Sequence, residues 1–211
     1  MPQDAFTIKA IAKELSDLLT NAKVNRVNQP NKDEVVLHLY RDKKTYKLLL
    51  STFAVLSRAS LINNKKENPL TAFGFCMLLR KHLNQAVIEK IECEKYERII
   101  KITFTAKNEL LYDYNPVLHV EIMGKYSNII LTDNGKVLGS LKAFNLGENS
   151  LRPIITGMKY VLPVKQDKFY PDEVGFKDKL INALSNDAND FDLGEFIFNF
   201  IIGVSKQTAN E

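Results

Sequence analysis

Cysteine and histidine are scarce in this chain of 211 residues. Cys76 and Cys93 are its two cysteines, and His38, His82 and His119 its three histidines. None of the five stands at metal-ligand spacing from another, so no metal site is expected. Both cysteines sit in apolar patterns, which reads as reduced thiols of a cytoplasmic protein. No apolar run approaches the roughly 20 residues that a membrane span requires. Met1-Pro2-Gln3-Asp4 lacks the basic-then-apolar order of a secretory leader, so none is expected. Glycine-rich phosphate loops, HExxH helices and GxSxG elbows are also missing. Glu92, Glu94 and Glu97 lie close together, but nothing in the sequence gives them a cleft partner, and they read as solvated. From the residues alone, neither an enzyme nor a cofactor is expected.

What the chain does have is an uneven charge. Its formal net charge of +4 divides into +9 over residues 1–165 and −5 over residues 166–211. A basic region of that size favours a polyanionic partner such as RNA, although excess charge also serves solubility.

The hydrophobic pattern is mixed. Asp4 can cap a helix carrying Ile8, Ile11, Ala12, Leu15, Leu18 and Leu19 at helical spacing. Val35, Leu37 and Leu39 alternate before Asp42-Lys43, and Tyr46, Leu48 and Leu50 follow, which predicts a hairpin. Arg41, Lys43, Lys44 and Lys47 crowd that hairpin, either as a solvated end or as a phosphate-contacting loop. Gln29 to Asp33 reads as a turn cluster. Thr71, after Pro69, can cap a second helix with Ala72, Phe75, Cys76, Leu79 and Leu83 on its apolar face and Arg80 and Lys81 beside it. Strands are predicted over 87–95, 98–105, 117–123 and 137–144, with a turn at Glu94–Glu97 and a hairpin at Asp133-Asn134-Gly135-Lys136. From Pro171 the spacing turns helical, with Phe176, Leu180, Leu184, Phe196 and Phe200. This places a boundary near residue 170 and predicts two short helices beyond it. They are too small to bury a core alone.

Four ordered stretches carry a family resemblance: Gln29-Pro30-Asn31-Lys32-Asp33-Glu34; Asn68-Pro69-Leu70-Thr71 with Phe75 through Leu83; Glu121 through Leu131; and Asn149-Ser150-Leu151-Arg152 with Gly157, Tyr160 and Pro163. Together they resemble the NFACT N-terminal domain, also called the fibronectin-binding protein A N-terminal domain, over nearly the whole chain. The resemblance implies an α+β fold. Residues 1–170 would form a β-sandwich with flanking helices, like the N-terminal domain of the formamidopyrimidine-DNA glycosylases. Residues 171–211 would begin a helix–hairpin–helix domain, with the chain an N-terminal fragment.

The family implies partners as well. Its members are ribosome-associated quality-control factors that bind tRNA and the large ribosomal subunit carrying a stalled peptidyl-tRNA. They promote C-terminal tailing, with alanine in bacteria, which makes alanine tRNA the expected ligand. The family's Asp-Arg tRNA-contacting pair corresponds here to Glu97-Arg98, one methylene longer at the carboxylate. Arg80, Lys81, Lys125 and Arg152 occupy other motif positions and are secondary candidates for tRNA. Taken alone, Glu97-Arg98 reads as a surface ion pair holding a turn. Some members are named as fibronectin-binding surface adhesins that lack signal peptides, so fibronectin and the cell surface form the alternative reading. Pro2 matches the glycosylases, but Gln3 replaces their proton-handling glutamate, and glycosylase activity is not expected.

Overall fold

A computed structural model of the chain describes residues 3–108, 110–143, 152–164, 166–186 and 192–211. Pro2 and the Asn149-Ser150-Leu151 part of the fourth motif lie outside them.

Helix α1 (Ala5–Leu19) forms where the spacing predicts it. Asp4 caps it by accepting from the Thr7 amide at 2.7 Å, and Ile8, Ala12, Leu15 and Leu19 are buried along one face. Ten strands follow: β1 (Lys23–Asn31), β2 (Glu34–Arg41), β3 (Lys44–Ser51), β4 (Arg58–Leu61), β5 (Val87–Cys93), β6 (Ile99–Lys107), β7 (Asp113–Tyr114), β8 (Val117–Glu121), β9 (Asn128–Asp133) and β10 (Lys136–Ser140). Every pairing between them is antiparallel, in the order β10-β9-β8-β6-β5-β1-β2-β3-β4, with the short β7 on β6.

The expected sandwich is therefore drawn as one hydrogen-bonded path rather than two separate sheets. The path narrows where Lys23 of β1 pairs with Val87 of β5. Side chains from both halves enter one core: Leu37, Leu39, Leu48 and Leu50 on one side, and Ile100, Ile102, Phe104, Leu118 and Leu131 on the other. The halves also meet at the surface. Lys142, just past β10, donates to the Thr52 carbonyl at 3.0 Å and faces Asp33 at 3.7 Å.

The predicted hairpin is β2–β3, turning at Asp42 and Lys43, both in the left-handed region (φ 50° and 62°). Two boundaries differ from expectation. Pro30 lies inside β1 rather than in a turn. Its missing N–H costs little there, because the strand is irregular between Asn28 and Asn31. Helix α2 (Gly74–Leu83) starts three residues beyond Thr71, with Phe73 at its cap position and no side-chain cap. Cys76, Leu79 and Leu83 are its buried face.

Among the described residues beyond 170 there are three helices rather than two: α3 (Phe176–Asn186), α4 (Leu193–Phe200) and α5 (Lys206–Asn210). This segment is tied to the start of the chain. The Ala5 amide donates to the Gly203 carbonyl at 3.0 Å, and the Thr208 hydroxyl donates to Asp4 at 2.8 Å. Burial alone would raise the Asp4 carboxyl, but hydrogen bonds from Thr7 and Thr208 outweigh it and hold the pKa below its usual range.

Candidate nucleic-acid interface

The β5–β6 turn is built to present two side chains. Glu94 closes it by donating its amide to the Ile99 carbonyl at 2.9 Å, and Glu97 donates back to the Glu94 carbonyl at 3.0 Å. Tyr96 takes the left-handed conformation at the apex (φ 56°). Beneath the turn, the Cys93 thiol donates to the carbonyls of Glu94 and Glu97, each at 3.3 Å. Burial, reinforced by the neighbouring Glu94 charge, pushes that thiol up to about 11, so it stays protonated as a donor.

Aromatic contacts fix the turn from outside. The Tyr96 ring meets Phe6 edge-on at 5.9 Å and Tyr170 at 5.4 Å. Lys95 lies over both tyrosine rings and pairs with Asp172 at 3.1 Å. Gly203 passes so close that a Cβ there would lie 3.0 Å from the Ala5 Cβ and 3.4 Å from the Tyr96 carbonyl oxygen. Its φ of +85° is one that glycine adopts readily.

A cleft of about 480 Å³ opens between this turn, the start of α1, Pro163, Val164 and Gln166, and the chain leading from α4 into α5. Glu97 and Arg98 line it together with Asp4, Gln166, Ser205 and Lys206. Arg98 is half-buried, and its guanidinium takes part in no hydrogen bond or ion pair with the described residues. The surface ion pair with Glu97 is thus not formed. The cleft brings Arg98, Lys206 and Glu97 together, while Asp4 beside them is buried and taken up by Thr7 and Thr208. Such a set suits a phosphate at the cations and a base amino group at the Glu97 carboxylate.

The secondary candidates separate. Arg80 donates from Nε to the Val27 carbonyl at 2.9 Å, pinning α2 to β1. Arg152 is committed more deeply. Its guanidinium forks onto Glu121, which is 2 % exposed, with contacts of 3.0 and 2.6 Å, and it also donates to the Val161 carbonyl. Tyr160 covers this pair, donating its hydroxyl to Glu121 at 2.9 Å and stacking on His119 at 4.0 Å. The Arg152 guanidinium is thus held by a buried carboxylate and a carbonyl, whereas Arg80 is tied to the fold through Nε. Lys81 is exposed in the last turn of α2, away from the cleft lining. Lys125 is exposed over the Tyr126 ring at 4.9 Å, two residues from Met123, which does line the cleft.

Asp4, Gln166, Ser205 and Lys206 escaped the sequence reading. Their only signal is folded proximity, since Asp4 stands at the start of the chain and the other three in its acidic last segment.

The model of the family described as NFACT N-terminal and middle domains matches residues 4–211. The Rqc2 homolog RqcH of Streptococcus pneumoniae is 33% identical across the whole chain, and that of Bacillus subtilis 35%. The chain spans 38% and 37% of their lengths. Among solved structures, the N-terminal domain of the fibronectin-binding protein PavA from Streptococcus pneumoniae superposes with a TM-score of 0.87 at 33% identity, covering 98% of this chain and 77% of that one. The fibrinogen-binding protein of Staphylococcus aureus superposes at 0.82 with 28% identity, covering 100% of this chain and 74% of that one. On the strength of a match along almost its full length, the chain belongs to the family of NFACT N-terminal and middle domains.

Proposed function

We propose that this chain is the tRNA- and large-subunit-binding module of a ribosome quality-control factor, one that supports alanine tailing of stalled nascent chains. It acts by binding, with no chemistry of its own. The carrying observation is Arg98, which lines a cleft and whose side chain has no hydrogen-bond or ion-pair partner among the described residues, on a region of net charge +9. The similarity to RqcH proteins supplies the ribosomal context. Glu97 and Arg98 would be the principal tRNA contacts, with Lys206 and Lys125 at the margins. The helices beyond residue 170 would open a helix–hairpin–helix unit.

The test is direct titration of alanine tRNA and non-cognate tRNAs against the chain and its Arg98→Ala variant over a salt series. Loss of affinity, with a salt slope smaller by about one, supports the reading. Unchanged affinity at every salt concentration overturns the site.

The likeness to a fibronectin-binding protein supports a second reading, an adhesive module. Fibronectin binding that is tight, salt-resistant and indifferent to Arg98→Ala would favour it over the first.

A further inference from the structure

On the outer face of the β1–β3 sheet, three side chains stand in one cross-strand row. Arg26 of β1 is opposite His38 of β2, and His38 is opposite Lys47 of β3. Val35, Leu37 and Leu39 point the other way, into the core, so alternation turns this row outward. The segment after β4 passes over it with Lys65 and Lys66, and together they line a groove of about 180 Å³. The groove shares no residue with the Arg98 cleft.

No acidic residue is among those lining it. Lys66 is neutralised by the buried Glu34 at 2.6 Å, and Lys47 donates to the Asn63 carbonyl at 2.9 Å. Arg26 and Lys65 take part in no hydrogen bond or ion pair with the described residues. Burial, Arg26 and Lys47, in that order, hold the His38 pKa below its usual value, so the ring is neutral at pH 7.

The floor carries an unsatisfied group. Asn28 is 7 % exposed. One end of its amide meets His38 Nε2 at 3.0 Å, while the other, Oδ1, is buried without a partner. A half-turn of the amide exchanges the two ends. Oδ1 then accepts from the His38 N–H, and Nδ2 becomes a buried donor facing the groove. A buried polar group without a partner costs roughly as much as a lost hydrogen bond, so an anion drawn up to the Asn28 amide would relieve that cost.

We propose that this groove is a second anion site, in which Arg26, Lys47, Lys65 and the Asn28 amide hold one phosphodiester of an RNA backbone. Pockets that enclose a whole organic ligand run to roughly 300 Å³ or more. This groove is smaller and suits a phosphate group with water. Assigning the phosphate to RNA rests on the tRNA-binding reading above, whereas the anion site itself does not.

Histidine ring resonances of the full 211-residue chain, titrated with inorganic phosphate and separately with a short single-stranded RNA, test it. Both ligands should shift the His38 ring signals. Arg26→Gln with Lys47→Gln should weaken RNA binding about tenfold in low salt and lower the salt slope by about 0.7, the value for one lost phosphate on a single strand. Lys65→Gln, away from the strand pairing, should weaken it about threefold, with melting curves confirming that each variant is folded. If phosphate shifts His38 but RNA does not, the assignment to a nucleic-acid backbone is overturned. If neither does, the anion site is overturned. Should Arg98→Ala abolish RNA binding while the groove variants leave it intact, the cleft stands and this site falls. The reverse pattern supports the groove and removes the cleft.

Discussion

Arg152 lays both arms of its guanidinium on the carboxylate of Glu121, 31 residues earlier, at 3.0 and 2.6 Å. The carboxylate is 2 % exposed and the arginine 16 %. Removing one partner of such a pair strands the other charge away from water. Arg152→Ala should therefore destabilise the chain by about 3 kcal/mol or more. In a domain of this size that is a fall in Tm of roughly 6–12 °C. Glu121→Leu combined with Arg152→Met should recover part of the loss, because no charge is left unpaired. Thermal melts of the three variants check this. An Arg152→Ala protein that melts like the parent would return Arg152 to the list of tRNA contacts.

The same network sets a pH dependence. His119 is buried beneath Tyr160, with Nε2 against the Thr132 hydroxyl at 3.1 Å. Burial, and then Lys101 and Arg152, push its pKa down to about 3. Between that value and the ordinary one near 6.5, the unfolded chain binds a proton that the folded chain refuses. Stability is then complete above about pH 6.5 and falls as the pH drops, by up to about 1.4 kcal/mol per unit. His38 contributes in the same direction, while Asp4 adds its loss only nearer pH 4, because its folded pKa is depressed below 3.8. Urea unfolding between pH 7 and 4.5 should show a flatter slope for His119→Gln than for the parent, whatever the change in absolute stability. Parallel slopes would mean that His119 titrates normally.

Gly203 offers a separation of fold from site. Gly203→Ala adds a Cβ 3.0 Å from Ala5 and 3.4 Å from Tyr96 O, at φ +85°. The strained backbone should cost about 1–2 kcal/mol, and the crowding should displace the turn that carries Glu97 and Arg98. Gly157→Ala has a similar φ of +87° but nothing within 4 Å, so it carries the strain without the crowding. Both variants should lose stability, and only Gly203→Ala should also lose tRNA affinity. Equal affinity for the two would detach the turn's position from binding.

Sequence and structure part company along a physical line. The β2–β3 hairpin was legible because alternation and turn chemistry are local. Helix α1 was legible for the same reason, with Asp4 as a cap and one apolar stripe. The start of α2 was misplaced because Thr71 has the chemistry of a cap, yet the helix begins at Gly74 without one; packing of Cys76, Leu79 and Leu83 carries it instead. The Glu97-Arg98 turn could be found through the family pattern, but its cleft could not. Asp4, Ser205 and Lys206 reach it only because the Gly203 carbonyl and Thr208 anchor the C-terminal segment to the first turn of α1. Arg152 illustrates the opposite case. Its motif position reads equally as a ligand contact or as a structural ion pair, and its partner, the buried Glu121, is visible only in the folded chain.

The last prediction concerns what kind of cation the cleft needs. Arg98 presents a planar fork, whereas a lysine would present a single compact charge. If the partner is a phosphate met as a point charge, Arg98→Lys should retain most affinity and the full salt dependence. If the fork reads a base edge or grips two phosphate oxygens, Arg98→Lys should lose about 1–3 kcal/mol, roughly tenfold or more, with the salt slope unchanged. The balance of charges lining the cleft favours the second outcome. Glu97 stands beside Arg98 and Lys206, and a purely phosphate-binding surface gains nothing from a carboxylate, whereas Asp4 is already taken up by Thr7 and Thr208. Glu97→Gln should then shift preference among tRNAs more than overall affinity, because a carboxylate that accepts from a base amino group discriminates while it repels phosphate. Since the Arg98 side chain makes no hydrogen bond or ion pair with the described residues, neither variant at 98 should move the Tm by more than about 1 °C, as is usual for surface changes. Affinity loss without stability loss is the signature that places Arg98 in recognition rather than in the fold.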